Sequence, residues 1–362
     1  MLPDWLKRID GVLLFTAVTL SLIGVAFIHS AKDRGDGLAS EASHQLMVLV
    51  IALGVAAGLT WLDYRKLAKI APILLGGGMA LLGGVLLRGR EVAGAQAWLD
   101  LPGLPRIQPS EFVKVAVVLM LAALASKREP GRLRWHHAAL DTIVVGLPVG
   151  LILLQNDLGT ALTFAPLLLA AMFCSGLSWR VIGVLGVLVA LSTPLVWPHL
   201  SDYQKDRILL PFQPERDPTG RGYQGIQARI AVGSGGLVGQ GYCEGPQNRL
   251  GFLPARHTDF VFAVVAEEWG FLGATLVLGL YALLLARLLA AAVAAPDRLG
   301  SFVCLGAASL IAAHLVVNVG MVLGLMPIIG IPLPLMSHGG SSLLSTFALL
   351  GLVGSVRWRT AA

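Results

Sequence analysis

Four consecutive residues, Arg256-His257-Thr258-Asp259, bring together a guanidinium, an imidazole, a hydroxyl and a carboxylate. These groups bind anions and move protons. Asp259 has two readings: a cap for the apolar helix that begins beside it, or a carboxylate that accepts a proton or holds a metal. His257 is the rival base, because neutral imidazole is the stronger acceptor near pH 7. Glu111 and Lys114 are three residues apart and share a helix face. One account makes Ser110 the N-cap and Glu111–Lys114 a salt bridge. The other makes them an ionisable pair facing a cavity at the membrane boundary, and spacing does not separate the two. Asp157, in Gln155-Asn156-Asp157-Leu158-Gly159-Thr160, either caps the next helix or touches a cation or a sugar hydroxyl. A long loop carries Arg207, Arg216, Arg221, Arg229, Arg249 and Arg256 against one lysine, Lys205. Arginine's planar fork suits phosphate. The alternative is ion pairing with Asp202, Asp206, Glu215, Asp217 and Glu244.

These residues must be held by a membrane-embedded frame. Of 362 residues, 56% are hydrophobic and 13% charged, with mean hydropathy +0.75. Soluble domains carry about a quarter charged residues, and disordered chains carry more still. A spanning helix needs about 20 apolar residues. Stretches near 11–28, 45–62, 67–87, 111–126, 138–155, 158–176, 180–197, 260–286, 301–325 and 341–356 meet that need. The expected fold is therefore an all-α polytopic membrane protein: one domain over 1–362, ten transmembrane helices, and a large extracytoplasmic loop, about 198–259, between helices 7 and 8. The first stretch follows Lys7 and Arg8 as a signal peptide would, but its length and lack of a small-residue cleavage site make it an anchor. With the N-terminus inside, fourteen lysines and arginines flank the spans on the cytoplasmic side. Five, Lys32, Arg34, Arg88, Arg90 and Arg106, lie in the short outer loops. That bias puts both termini in the cytoplasm. The net charge of +6 then reads as topology and one basic outer loop, with no nucleic-acid partner. Three scattered cysteines make neither a disulfide framework nor a metal-type spacing.

Further expectations concern the loops and the last spans. Ile226, Ile230 and Leu237, with Gln227 and Arg229 between, suggest a short amphipathic helix lying on the membrane. Of the adjacent Glu267 and Glu268 inside the eighth span, about 100° apart, one is expected to face the bundle interior and pair with an arginine or lysine. Gly330-Ile331-Pro332-Leu333-Pro334 reads as a re-entrant or surface turn, with Ser341 or Ser342 capping the last span. Gly320 and Gly324 have a spacing that lets another helix approach closely, within the bundle or from a partner.

Five motifs in order between these spans are similar to those of the SEDS family (shape, elongation, division and sporulation), and the resemblance covers essentially the whole chain. They are Ile107-Gln108-Pro109-Ser110-Glu111 with Lys114; Asp157-Leu158-Gly159-Thr160; Ile230-Ala231-Val232-Gly233-Ser234-Gly235-Gly236-Leu237; Phe252-Leu253-Pro254-Ala255-Arg256-His257-Thr258-Asp259-Phe260; and Gly330-Ile331-Pro332-Leu333-Pro334 with Gly339-Gly340-Ser341-Ser342. Arg256 before His257 and the short termini resemble the elongation branch more than the division branch. His338, Asn156, Trp269 and Ala255 depart from residues usual in the family. The resemblance implies a ten-helix bundle in the bacterial inner membrane with an outward-facing cavity. It implies an inverting peptidoglycan glycosyltransferase that joins lipid II units into glycan and releases undecaprenyl pyrophosphate. It implies Asp259 as the catalytic residue, and substrate binding by Glu111, Lys114, Asp157, Arg207, Arg256, His257 and Ser341. A divalent cation, magnesium or manganese, is implied without its ligands, and no organic cofactor. The implied partners are a class B penicillin-binding protein that contacts helices 8 and 9, and other elongation-complex membrane proteins. The alternatives are a lipid II flippase, the division-type polymerase, or a scaffold. A flippase needs access from both leaflets, whereas the polar motifs here crowd onto one side.

Overall fold

The computed structural model describes residues 10–31, 40–92, 94–100, 106–129, 133–178 and 219–360, with Gly131 and scattered positions and short runs from 180 to 217. Eight helices among these residues are long and apolar enough to cross a membrane. They are α1 (Gly11–Ser30), α2 (Ser40–Trp61), α4 (Ala71–Arg88), α5 (Pro109–Ser126), α6 (Trp135–Leu154), α10 (Val261–Val293), α11 (Arg298–Val322) and α12 (Gly340–Thr360). A ninth apolar helix, α7 (Leu158–Cys174), has 17 residues. About half of the stretch expected at 180–197 falls outside the described residues. Short helices α3 (Tyr64–Lys69), α8 (Arg221–Ser234) and α9 (Pro246–Arg249) connect the spans. One small antiparallel ribbon, β1 (Arg90–Val92) with β2 (Ala95–Trp98), is added to this helical frame. α2 packs along α12, and α10 packs against α1 and α11. The apolar side chains between them, Phe27, Phe164, Tyr281 and Phe347 among them, make a continuous core.

The turn at Asn156–Asp157 separates two helices, α6 and α7, that pack against each other as a hairpin. Asn156 takes a left-handed φ of 60°, a conformation asparagine tolerates better than most residues. Asp157 then caps α7, its Oδ1 accepting from the Thr160 amide at 2.9 Å.

α10 has 33 residues, about 50 Å if straight, against a hydrocarbon layer of about 30 Å. It is broken at Gly270, whose φ is 65° and ψ −162°. An added Cβ there would lie 2.3 Å from the Gly239 nitrogen, so only glycine fits. Residues 271–293 alone are long enough to span. The long loop docks on the break through four backbone bonds: Gln240 and Gly241 donate to the carbonyls of Glu267 and Glu268, at 3.0 and 3.1 Å, and Phe271 and Leu272 to those of Gly236 and Leu237, at 2.8 and 3.1 Å.

This docking corrects the expectation for Glu267 and Glu268. Both are buried, at 0% and 1% exposure. Glu267 accepts from the amides of Gln247 and Asn248, at 2.7 and 3.1 Å, and Glu268 from the Cys243 amide at 3.0 Å and the Asn248 side chain at 2.7 Å. Loop amides stand where an arginine or lysine was expected. The break lets the loop wrap both carboxylates, so the 100° between adjacent side chains no longer sends one of them to lipid.

The other loop expectations divide. α8 forms, but it docks by its small residues: Ala228 and Ala231 are fully buried, whereas Ile230 is 45% exposed. The segment Ile328–Ser337 plunges into the bundle and is largely buried. Irregular backbone is tolerated at that depth only when protein satisfies it. Asn318 donates to the Ile331 carbonyl at 2.8 Å, Gln45 to that of Ser337 at 3.1 Å, and the Tyr281 hydroxyl to that of Pro334. Ser341 does not cap α12, which begins at Gly340; its Oγ accepts from the Gln108 amide at 3.0 Å. Gly324 (φ 74°) ends α11 in a left-handed turn, with Leu325 donating to the Gly320 carbonyl at 2.8 Å. Gly320 lies against Met326 of its own chain. These glycines serve helix termination and internal packing.

Candidate active site

Among the described residues, the expected site residues converge on the end of the bundle that carries the long loop, in two layers. The upper layer is made by the loop–helix junction. Ala255, at φ 49°, receives the amides of Thr258 and Asp259, each at 3.1 Å, and so closes a tight turn. Phe260, fully buried, anchors it and is the N-cap of α10, with no side-chain cap bond. Asp259 therefore does not cap the helix. Asn318 of α11 holds the Asp259 carbonyl with the same amide group that holds Ile331, 2.8 Å to each. This pins the turn to the re-entrant segment, and a Cβ on Gly330 would come 3.3 Å from an Asp259 carboxylate oxygen. On its other side the segment presses on α7: a Cβ on Gly159 would stand 2.6 Å from the Ile329 carbonyl oxygen. Asp259, Gly330 and the Asp157 turn are thus consecutive neighbours.

Asp157 has a second task beyond capping. Its Oδ2 accepts from the Thr160 hydroxyl at 2.7 Å and from the Gln108 side chain at 3.1 Å. Gln108 in turn donates its amide to Ser341. His257 lies 3.8 Å from Glu41 and receives the His338 amide on its carbonyl at 2.9 Å, while the His338 ring stands between those of His257 and His44, at 5.8 and 6.0 Å. The departure at His338 thus sets a third imidazole beside the junction.

The lower layer is the Glu111–Lys114 pair. The two are 2.6 Å apart and almost wholly buried. α5 starts at Pro109, so Ser110 is inside the helix and is not its cap. Ser345 of α12 donates to Glu111 at 2.9 Å, and His314 of α11 lies 3.2 Å from the Lys114 ammonium and 3.2 Å from the Pro332 carbonyl. Lys114 is thereby linked, through His314, to the re-entrant segment under Asp259. The cavity beside the pair is about 20 Å³, room for about one water. In this conformation the pair faces no open cleft.

The loop arginines mostly tie the loop together. Arg256 donates to the carbonyls of Ala31 and Asn248, fixing the end of α1 to the loop. Arg249 pairs with Glu244 at 3.0 Å, and Arg229 lies against Gly324. Arg207 lies outside the described residues. Sequence reasoning named Gln108 only as part of a motif, without a role, and missed His314, Asn318 and Ser345. His314 carried a usable signal, since an ionisable side chain inside an apolar span is a functional candidate by default. The other three are ordinary polar residues until their distant partners are known.

A helical membrane bundle with an irregular re-entrant segment, capped at one end by a long loop docked on a broken helix, defines a polytopic membrane protein. Comparison places it more narrowly. The chain matches the FtsW/RodA/SpoVE family of cell cycle proteins over residues 10–361. It is 39% identical over 351 residues to the peptidoglycan glycosyltransferase MrdB of Escherichia coli, covering 96% of this chain and 93% of that one. Among solved structures, it is similar to a chain of a peptidoglycan synthase complex described as coordinating polymerization and crosslinking, with TM-score 0.83, 40% identity and coverage of 97% and 98%. It is also similar to the rod shape determining protein RodA of Thermus thermophilus, with TM-score 0.71, 36% identity and coverage of 98% of each chain. The chain belongs to the FtsW/RodA/SpoVE family, the SEDS grouping that its motifs resemble, and is an integral protein of the inner membrane.

Proposed function

We infer that this chain is a membrane glycosyltransferase that polymerises peptidoglycan, joining lipid II disaccharide units into glycan strands for cell elongation. Its similarity to MrdB and RodA supports the reaction. The observation that carries the site is that Asp259, set on a turn that caps nothing, is pinned against the re-entrant segment by Asn318. In the reaction a GlcNAc 4-hydroxyl attacks the anomeric carbon of the growing chain as undecaprenyl pyrophosphate leaves. Inversion calls for one base on the face opposite the leaving group. Asp259 accepts the hydroxyl proton. An aspartate is a weak base for an alcohol, but an oxocarbenium-like transition state acidifies the attacking hydroxyl late, so a positioned carboxylate suffices. Asp157 and Ser341, joined through Gln108, line the approach, and His257 and Arg256 border it. Lys114 is the charge suited to the diphosphate once it is drawn away from Glu111.

Among the described residues no group of three His, Cys, Asp or Glu side chains is arranged to hold a metal ion. Carboxylates do stand around the junction, Asp259 itself, Glu41 3.8 Å from His257, and Asp157 on the turn beyond Gly330, but no three of them are gathered as the several oxygen ligands of magnesium would be. These residues do not fit a resident divalent centre, and the scheme above uses none.

Both termini lie in the cytoplasm, in keeping with the excess of basic residues at the end opposite the long loop. A reporter after Gly222 is expected outside, and one after Pro130 inside. The crosslinking partner is a class B penicillin-binding protein whose single span packs on α10 and α11, within the elongation complex. Similarity to a chain of a complex that coordinates polymerization and crosslinking supports such a partner. The test is purified protein with lipid II in detergent, with and without that partner and a divalent cation. Glycan polymer is expected; a flippase has nothing to do there, and no polymer in any arm overturns the reading.

A further inference from the structure

A groove of about 640 Å³ opens at the end of the bundle opposite Asp259, between α1, α2 and α12. Its back is closed by glycine: a Cβ on Gly351 would come 2.7 Å from the Ala56 carbonyl oxygen, so α12 and α2 interlock there. α1 stands off from α12 and leaves the slot. The walls are apolar, with Leu14, Ala17, Leu53 and Leu350 among them, and the volume lies in the range of lipid and small-molecule sites. The mouth is different. Asp10 receives both Arg287 at 2.8 Å and Arg357 at 3.6 Å, two guanidiniums on one carboxylate, which leaves one positive charge in surplus among the described residues at the mouth. Trp61, 75% exposed, and Trp358 flank the mouth, as aromatic side chains do at the level of lipid headgroups.

We propose that this groove binds one molecule of an anionic phospholipid from the leaflet on that side. An acyl chain lies between α1 and α12, and the phosphate takes Arg357 beside Asp10. The surplus charge selects an anionic headgroup, and the slot selects a chain over a free ion. A polyprenyl carrier is the poorer occupant, because a pyrophosphate anchored here would sit a membrane's thickness from Asp259. The site is independent of the catalytic reading, since none of its residues belongs to the junction around Asp259.

The experiment is native mass spectrometry of the full chain in mild detergent with phosphatidylglycerol or phosphatidylcholine of matched acyl chains. One phosphatidylglycerol is expected to be retained, and phosphatidylcholine held at least about five-fold more weakly. Arg357→Gln is expected to erase that preference, and Arg357→Lys to restore most of it. Ala57→Trp, which fills the slot from α2, is expected to remove the bound lipid without lowering the melting temperature in lipid-free detergent. If that variant does not fold, Leu53→Phe serves instead. Equal retention of the two lipids, or retention unchanged when the slot is filled, overturns the proposal. Displacement by undecaprenyl phosphate would assign the groove to the carrier. Lipid retained only after deletion of residues 2–9 would assign it to this chain's own N-terminal segment.

Discussion

The two ends of this bundle solve the same problem, polar groups near lipid, by opposite means. At the end opposite the long loop, charge is matched with charge. Arg128 and Asp141 form a buried bidentate pair with both bonds at 2.6 Å, and Arg298 closes on the Arg128 carbonyl. Arg65 pairs with Asp297 at 2.7 Å, and Arg359 reaches Asp63 at 3.6 Å. At the loop end the exposed carboxylates are ion-paired too, Glu244 with Arg249 and Asp100 with Arg90, and Glu111 is buried against Lys114, but Glu267, Glu268 and Asp157 are met by neutral donors: amides for the two glutamates, a hydroxyl and two amides for Asp157. Ion pairs fix regular helices at their ends. Neutral donors hold irregular backbone in place without adding fixed charge beside the junction. One end is a clamp and the other a workplace.

The comparison is broken most directly at Asp259. Asp259→Asn keeps the size and removes the charge, and there is no cap bond to lose. Polymerisation is expected to fall by a factor of 100 or more, roughly the span of general base catalysis, with melting temperature and partner binding unchanged. Substantial glycan synthesis by this variant would move the base to His257. At the clamp, Arg128→Ala leaves Asp141 buried and unpaired, and a loss of about 3–5 kcal/mol in stability is expected. The double change Arg128→Met with Asp141→Leu is expected to recover most of it, with activity per folded molecule near wild type in both.

Lys114 lies between these cases. Lys114→Met alone strands Glu111, so the informative variant is Lys114→Met with Glu111→Gln, read as polymerisation per folded molecule. A loss of about tenfold, or 1.4 kcal/mol, is expected. Full activity would make the pair structural. The smallest effect belongs to Asp297, which caps α11 through the Gly300 amide at 2.8 Å. Burial works against its charge, but that amide, the Tyr64 hydroxyl and Arg65 outweigh it and hold the carboxyl below its ordinary value. A carboxyl depressed in the folded state stabilises above its unfolded pKa, and that contribution is lost as pH falls through the folded value. Asp297→Asn keeps the cap but loses the charge paired with Arg65, a partly exposed pair, and is therefore expected to cost about 0.5 kcal/mol at pH 7, with the difference from wild type shrinking below about pH 4 in a pH series of melting curves.

What was legible in the sequence is what a membrane or a short stretch of chain imposes. The hydrocarbon layer demands about 20 apolar residues per span, so nine of the expected stretches coincide with helices among the described residues. Contacts made within a turn were equally legible: Asp157 capping at Thr160, and Glu111 meeting Lys114 three residues on. The re-entrant segment was legible only as a choice between burial and surface, because its prolines and glycines exclude a helix without saying where the chain goes. Tertiary structure decided the rest, since buried polar groups take partners that are distant in sequence. Ser341 meets Gln108 across 233 positions, and Lys114 meets His314 across 200. Local pattern carries no record of such pairs. Gly270 shows the limit most clearly. Nothing in an apolar run announces that one glycine will break it, yet that break brings the loop down onto Glu267 and Glu268 and turns two expected liabilities into the loop's anchors.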